Sequence, residues 1–150
     1  MPKIEKNSIR NVSFGDNCKI IEPVNLYECK IGNNVFVGPF VEIGKNVIVD
    51  DNTRISSHTF ICPEVKIGKD CFIGHGVMFT NDKFSEGKIN FESNKWLETN
   101  IGDNVLIGSN VTLLPVRICN NVVIGAGSVV TKDINKPGIY VGNPATLLKK

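Results

Sequence analysis

Two histidines, His58 and His75, are the only imidazoles in this 150-residue chain, and they stand 17 residues apart. Imidazole gains or loses a proton most readily near neutral pH, so a close pair invites acid–base chemistry. His75 opens the run His75-Gly76-Val77-Met78-Phe79-Thr80-Asn81-Asp82. An amide such as Asn81 orients a reacting group without taking its proton, and the neighbouring carboxylate of Asp82 accepts hydrogen bonds. Asn-Asp is equally a common turn pair. Five cysteines complete the reactive set: Cys18, Cys29, Cys62, Cys71 and Cys119. Their number is odd and no C-x-x-C occurs, which argues for reduced thiols in a cytoplasm rather than a disulfide framework. No close ligand pair suits zinc, so no metal is expected and most of the thiols read as small core hydrophobes.

The elements that must position these residues follow from a repeat. From Ile31 to Met78 the chain divides without a gap into eight hexads, whose first residues are Ile31, Val37, Ile43, Val49, Ile55, Ile61, Ile67 and Ile73. The fifth positions, from Val35 to Val77, are all β-branched or small. The register extends upstream through Phe14 to Asn25 and resumes from Ile101 to Val130, with five-residue steps at Leu26 to Lys30 and Leu113 to Arg117. Short β-branched segments closed by Gly, Asn or Asp are strands joined by tight turns. A strict period of six turns one aliphatic residue inward on every side of a coiled prism, and stacked coils bury a continuous apolar column. The expectation is a single all-β domain over residues 1–150, a β-solenoid rather than a sandwich, whose strands would alternate with wider turn spacing.

Composition agrees. Hydrophobic residues make up 41% and charged residues 21% of the chain, enough for a core and too apolar for disorder. There is no run of 18 apolar residues for a membrane span, and Met1-Pro2-Lys3-Ile4-Glu5 lacks the apolar stretch of a secretory signal. Seventeen basic residues against 15 acidic ones, interspersed, offer no nucleic-acid surface.

The register lapses after Phe79-Thr80. Lys83 to Asn100 shows no hexad phase and holds Phe84, Phe91 and Trp96 among charges. A long patternless segment inside a compact repeat is usually a functional excursion, and three aromatics suit packing against a neighbour or a ligand. A tolerated surface insertion is the alternative.

From about residue 12 to 145 the pattern resembles the hexapeptide-repeat acyltransferases. That resemblance implies a left-handed parallel β-helix with three hexads per coil, a hand opposite to the usual crossover preference. With 18 residues per coil, His58 and His75 fall on successive coils, one position offset. Ser57-His58-Thr59-Phe60-Ile61-Cys62, the His75 to Asp82 run and Leu114-Pro115-Val116-Arg117-Ile118 are similar to the nucleotide-sugar 3-N-acetyltransferases. These act on dTDP-3-amino-3,6-dideoxyhexoses or a UDP-3-amino-glucuronic acid, and their products feed surface polysaccharides such as O-antigen. Relatives often continue Asn-Asp with an aromatic and Pro-Arg-Ala, whereas Lys83-Phe84-Ser85-Glu86-Gly87 follows here. The missing arginine removes a bidentate partner for a carboxylate, which tilts the expectation to a neutral deoxyhexose; Lys83 or Lys88 is available as a substitute.

The resemblance also assigns roles. Acetyl-CoA is the implied co-substrate, with Gly108, Ala126, Gly127, Thr131, Lys132, Asn143 and Pro144 as contacts along its pantetheine and adenine. Lys132, Lys149 and Lys150 suit its phosphates, although terminal lysines are as often a solvated tail. Asn81 and Asp82, with Lys83 and Phe84 beside them, are expected to position the amino sugar. His75 or His58 supplies polar support or accepts a proton, and the Gly108 N–H is a candidate oxyanion donor. A cytoplasmic homotrimer with sites between subunits is implied. Rival readings are a carbonic-anhydrase-like enzyme, which needs a third histidine, and a structural or ice-binding solenoid, which needs Thr-x-Thr rows that are lacking. A 4-amino sugar, serine or an alcohol remains an alternative acceptor.

Overall fold

The computed structural model describes residues 1–5 and 8–149. Two- to four-residue strands stack into three sheets, parallel except for the last strand of one, that form the faces of a triangular prism. Face A runs from Ile9–Arg10 to Val129–Val130 in seven strands, face B from Ser13–Phe14 to Arg117–Ile118 in six, and face C from Lys19–Ile20 to Thr146–Leu147 in eight. Pairing is parallel and coil-to-coil: Ile61 lies over Ile43, Ile67 over Val49 and Ile73 over Ile55. The β-solenoid expected from the repeat is the fold observed.

Why hexads give this shape is visible in the burial. Each first-position residue from Ile31 to Ile73 is buried, and so is each fifth-position residue from Val35 to Val77. Each fully buried aliphatic side chain contributes about 1.5–3 kcal/mol relative to exposure. Thr53 and Thr59 occupy fifth positions without loss, because their hydroxyls donate to the Gly68 and Gly74 carbonyls at 2.9 and 2.8 Å. Three of the cysteines, Cys29, Cys62 and Cys71, are buried and all five are free thiols.

At most corners of the prism the chain turns through one left-handed residue. The edge between B and C repeats Asn34, Asn52, Asp70, Asn104 and Asn121, all at φ between 53° and 61°. Asparagine tolerates that region best among residues with side chains. The edge between C and A instead carries Phe40, His58, Gly76, Asn110 and Gly127.

The excursion leaves at the edge between A and B, after the strand Met78–Phe79, and returns in the strand Thr99–Ile101. Val65, Lys66 and Ile67 pair with Thr99, Asn100 and Ile101, so the stack resumes two residues before the hexad pattern ends the loop. Thr99 takes the fifth-position place and is fully buried, as Thr53 and Thr59 are. Past the last coil, Gly138–Val141 pairs with Val122–Ile124 and then turns back antiparallel through Thr146–Leu147, closing the top of face C. No helix among the described residues is long and apolar enough to cross a membrane.

Candidate active site

The excursion is folded on itself by one carboxylate. Asp82 Oδ1 accepts the Phe84 N–H at 2.9 Å and the Asn90 amide Nδ2 at 3.2 Å, while Oδ2 accepts the Asn90 N–H at 2.8 Å. These bonds, the Asn90 N–H first, hold the Asp82 carboxyl below the ordinary carboxylate range, so it is ionised at neutral pH. The Trp96 indole N–H donates to the Asn90 carbonyl at 2.9 Å, and the Leu97 N–H closes the neck on the Asn81 carbonyl at 2.9 Å. Ion pairs on the outer surface of the loop, Lys88–Glu86 and Lys95–Glu92, are exposed and contribute little.

Beneath the loop lies a groove of about 480 Å³. Tyr27, Phe60 and Phe79 line it from strands of face A, and Cys62, Pro63 and Leu114 complete that wall. The loop supplies the segment Thr80 to Phe84 and, across from it, Trp96. The lining is aromatic and aliphatic with a few polar groups, the usual make-up of a small-molecule site. Burial pushes the Cys62 thiol up to about 12, and burial followed by the nearby Glu42 charge raises the Tyr27 phenol. Both are therefore neutral at pH 7, and Cys62 is no nucleophile.

A second feature occupies the edge between C and A. On the edge between B and C, the N–H groups of Asp16, Asn33, Lys69 and Asp103 are each capped by an Asn or Asp side chain of the next coil, at 2.7–2.8 Å. The matching N–H groups between C and A, on Ser57, His75, Ser109 and Ala126, have no acceptor among the described residues. Coils approach too closely for side chains here: a Cβ on Gly74 would lie 2.8 Å from Ser109 N, and one on Gly108 2.6 Å from Ala126 N. The result is a solvent-facing row of main-chain donors, suited to a narrow ligand rich in carbonyls. His58 sits beside it with its ring 4.9 Å from that of Phe40, and His75 is exposed.

The expected site residues thus separate into two groups. Asn81, Asp82, Lys83 and Phe84 line the groove together. The Asp82 carboxylate, besides bordering the groove, is engaged by the loop itself through Phe84 and Asn90. His58 and His75 lie at the opposite edge of face A and do not border the groove within one chain. Gly108, Ala126 and Gly127 share that opposite edge, with the cis Asn143–Pro144 turn above them. Thr131 and Lys132 follow Val130 towards the loop side, and Lys150 lies outside the described residues. The Gly108 N–H is committed to the Ile124 carbonyl at 2.8 Å, which removes it as an oxyanion donor. The unbonded donors next to it belong to Ser109 and Ala126. Ala126 is among the contacts the resemblance implies, whereas Ser109 was missed because a main-chain N–H has no letter in a sequence. Their signal was the change from Asn and Asp on one edge to Ser, His and Ala on the other. Of the loop aromatics, Trp96 and Phe84 reach the groove, whereas Phe91 is 85% exposed.

Two repeat families match this chain. That described as "Hexapeptide repeat of succinyl-transferase" matches residues 64–78 and 98–132, and "Bacterial transferase hexapeptide (six repeats)" matches residues 28–63, together more than half of the chain. The chain belongs to the hexapeptide-repeat acyltransferases. The bifunctional protein GlmU of Buchnera aphidicola subsp. Acyrthosiphon pisum is 33% identical over 150 residues, covering 95% of this chain and 33% of that protein. The chain therefore spans about one third of the length of such curated relatives. Among solved structures, a mutant of AntD, an N-acyltransferase from Bacillus cereus in complex with dTDP and coenzyme A, superposes with a TM-score of 0.74 at 22% identity, over 91% of this chain and 82% of that one. The polysialic acid O-acetyltransferase OatWY superposes with a TM-score of 0.63 at 28% identity, over 93% and 74%.

Proposed function

We propose that this acyltransferase moves an acetyl group from acetyl-CoA to the 3-amino group of a nucleotide-linked sugar, a dTDP-3-amino-3,6-dideoxyhexose, for surface polysaccharide synthesis in the cytoplasm. The observation that carries this reading is the aromatic groove with Asn81 at the loop neck, no histidine of the same chain lining it, and its one carboxylate, Asp82, engaged by Phe84 and Asn90. A neutral amine attacks a thioester without a strong base, whereas a hydroxyl acceptor needs one. An apolar lining also favours a sugar lacking its 6-hydroxyl. The AntD complex, which holds dTDP and coenzyme A on the same fold, supports both ligand classes. A UDP-3-amino-glucuronate is the second reading, favoured by Lys83 at the groove.

In the reaction the unprotonated sugar nitrogen attacks the thioester carbonyl carbon, and its oxygen becomes an oxyanion. Collapse breaks the C–S bond, expels the coenzyme A thiolate and forms the amide; the proton lost by nitrogen ends on the thiolate or in water. Asn81 orients the amine. The free N–H groups of Ser109 and Ala126 suit the oxyanion and the carbonyls of the pantetheine arm. In the chain as a homotrimer, the donor row and the two histidines of one copy face the groove of the next, which joins the two groups of residues into one site.

The test is thiol release from acetyl-CoA against dTDP-, UDP- and GDP-linked 3-amino and 4-amino sugars, with light scattering for the assembly. Turnover is expected with a dTDP-3-amino sugar and a trimeric mass. Thiol release with none of the amino sugars rules the reading out.

A further inference from the structure

A second groove, of about 250 Å³, flanks the loop on the face B side. Lys83 borders both grooves and so stands at the seam between them. Arg117, which points outward from the strand Arg117–Ile118, borders the smaller one. Two acids share this groove, and both are engaged. Glu98 pairs with Lys66 at 2.8 Å, and Asp133 Oδ1 accepts the Arg117 main-chain N–H at 2.8 Å. The Lys83 ammonium and the Arg117 guanidinium make no ion pair or side-chain hydrogen bond with a described residue. The formal charges lining the groove balance, and the Glu98 carboxyl is held below its ordinary range by Lys66 first and, after it, by the Arg117 charge. What remains for a ligand is the hydrogen-bonding capacity of the two cations, and a guanidinium fork matches a phosphoryl group bidentately.

We propose that Lys83 and Arg117 form a seat for a diphosphate, filled by the nucleotide half of the acceptor. This deepens the functional reading above and rests on it. In a sugar nucleotide the β-phosphate is joined to the anomeric carbon through one oxygen, so the charge begins immediately where the sugar ends. An aromatic groove cannot hold that charge, and the acceptor must cross into a polar compartment next to it. Lys83 at the seam meets the β-phosphate, and Arg117 farther out meets the α-phosphate. The sugar is thereby drawn back under the loop with its amine towards Asn81.

Coenzyme A also carries a diphosphate, so the experiment separates the two sources. Calorimetric titration of the full chain with dTDP, thymidine and coenzyme A, each alone, is compared for the wild type, Lys83→Gln, Arg117→Gln and Arg117→Lys. Each glutamine variant is expected to weaken dTDP about tenfold or more, with thymidine and coenzyme A unaffected. Arg117→Lys recovers part of the loss, since it keeps the charge and loses the fork. With the amino sugar, KM rises by more than kcat falls. Unchanged dTDP affinity in Arg117→Gln overturns the seat, and so does a loss confined to coenzyme A, which hands the cations to the donor. A wild type that binds neither dTDP nor, titrated in the same way, UDP and GDP brings down the functional reading as well, whereas dTDP binding insensitive to both glutamine variants brings down the seat alone.

Discussion

The Leu97 N–H donates to the carbonyl oxygen of Asn81 across 2.9 Å, so the residue at the root of the loop, which lines the groove, is fixed through its main chain. The side-chain amide can therefore be altered without opening the neck.

Asn81→Ala should lower turnover on the order of a hundredfold while coenzyme A affinity stays at the wild-type value. Steady-state rates with the amino sugar, alongside calorimetry with coenzyme A, check both halves. Undiminished turnover removes Asn81 from the mechanism.

Asp82→Ala removes the acceptor of two main-chain N–H groups and should release the loop. Trp96 is the only tryptophan, so its emission reports the change as a red shift, with faster proteolysis between residues 83 and 98. The same contact fixes a pH dependence. Because the folded carboxyl lies below its ordinary value of 3.8, its contribution is fully present above that pH and is lost as pH falls through the folded value. Trp96 emission should hold constant down to about pH 4 and shift only below it; a midpoint near pH 5 contradicts the assigned contact.

The Cys62 thiol, pushed up to about 12, is ionised to only about one part in 10⁵ at pH 7. No acyl-cysteine should form. Mixing enzyme with acetyl-CoA in the absence of acceptor should release no stoichiometric burst of thiol, and Cys62→Ala should retain turnover. A burst lost in Cys62→Ala would show that transfer runs through the sulfur.

The Thr99 hydroxyl is buried without a hydrogen-bond partner among the described residues, opposite Val65 in the ladder. Thr99→Val should therefore stabilise the fold by about 1 kcal/mol, seen as a higher melting temperature. A lower one means the hydroxyl is satisfied in solution.

Much of this molecule is legible in its sequence because inward positions on a stack admit few side chains. Ile31 to Ile73 declare the core by themselves, and the absence of that rhythm declares the loop. The loop's end was harder to place, since Thr99 is polar, although Thr53 and Thr59 already show threonine at fifth positions. Asp82 was readable as a reactive residue but not as the tie that folds the loop, because its partner Asn90 lies eight residues away in patternless sequence. The division of the candidate residues between two prism edges required the count of coils and corners together. Capping is a relation between coils, so the uncapped row at Ser57, His75, Ser109 and Ala126 is invisible in any single repeat.

A stack of identical rungs is also a ruler. Face C counts three steps from the strand Phe72–Ile73, in the coil that launches the loop, to the strand Gly138–Val141, roughly 14 Å at the usual strand spacing. Evolution can lengthen or shorten that interval only by whole graduations, so relatives of this chain that accommodate a longer acyl arm must either insert a full coil or rebuild the loop.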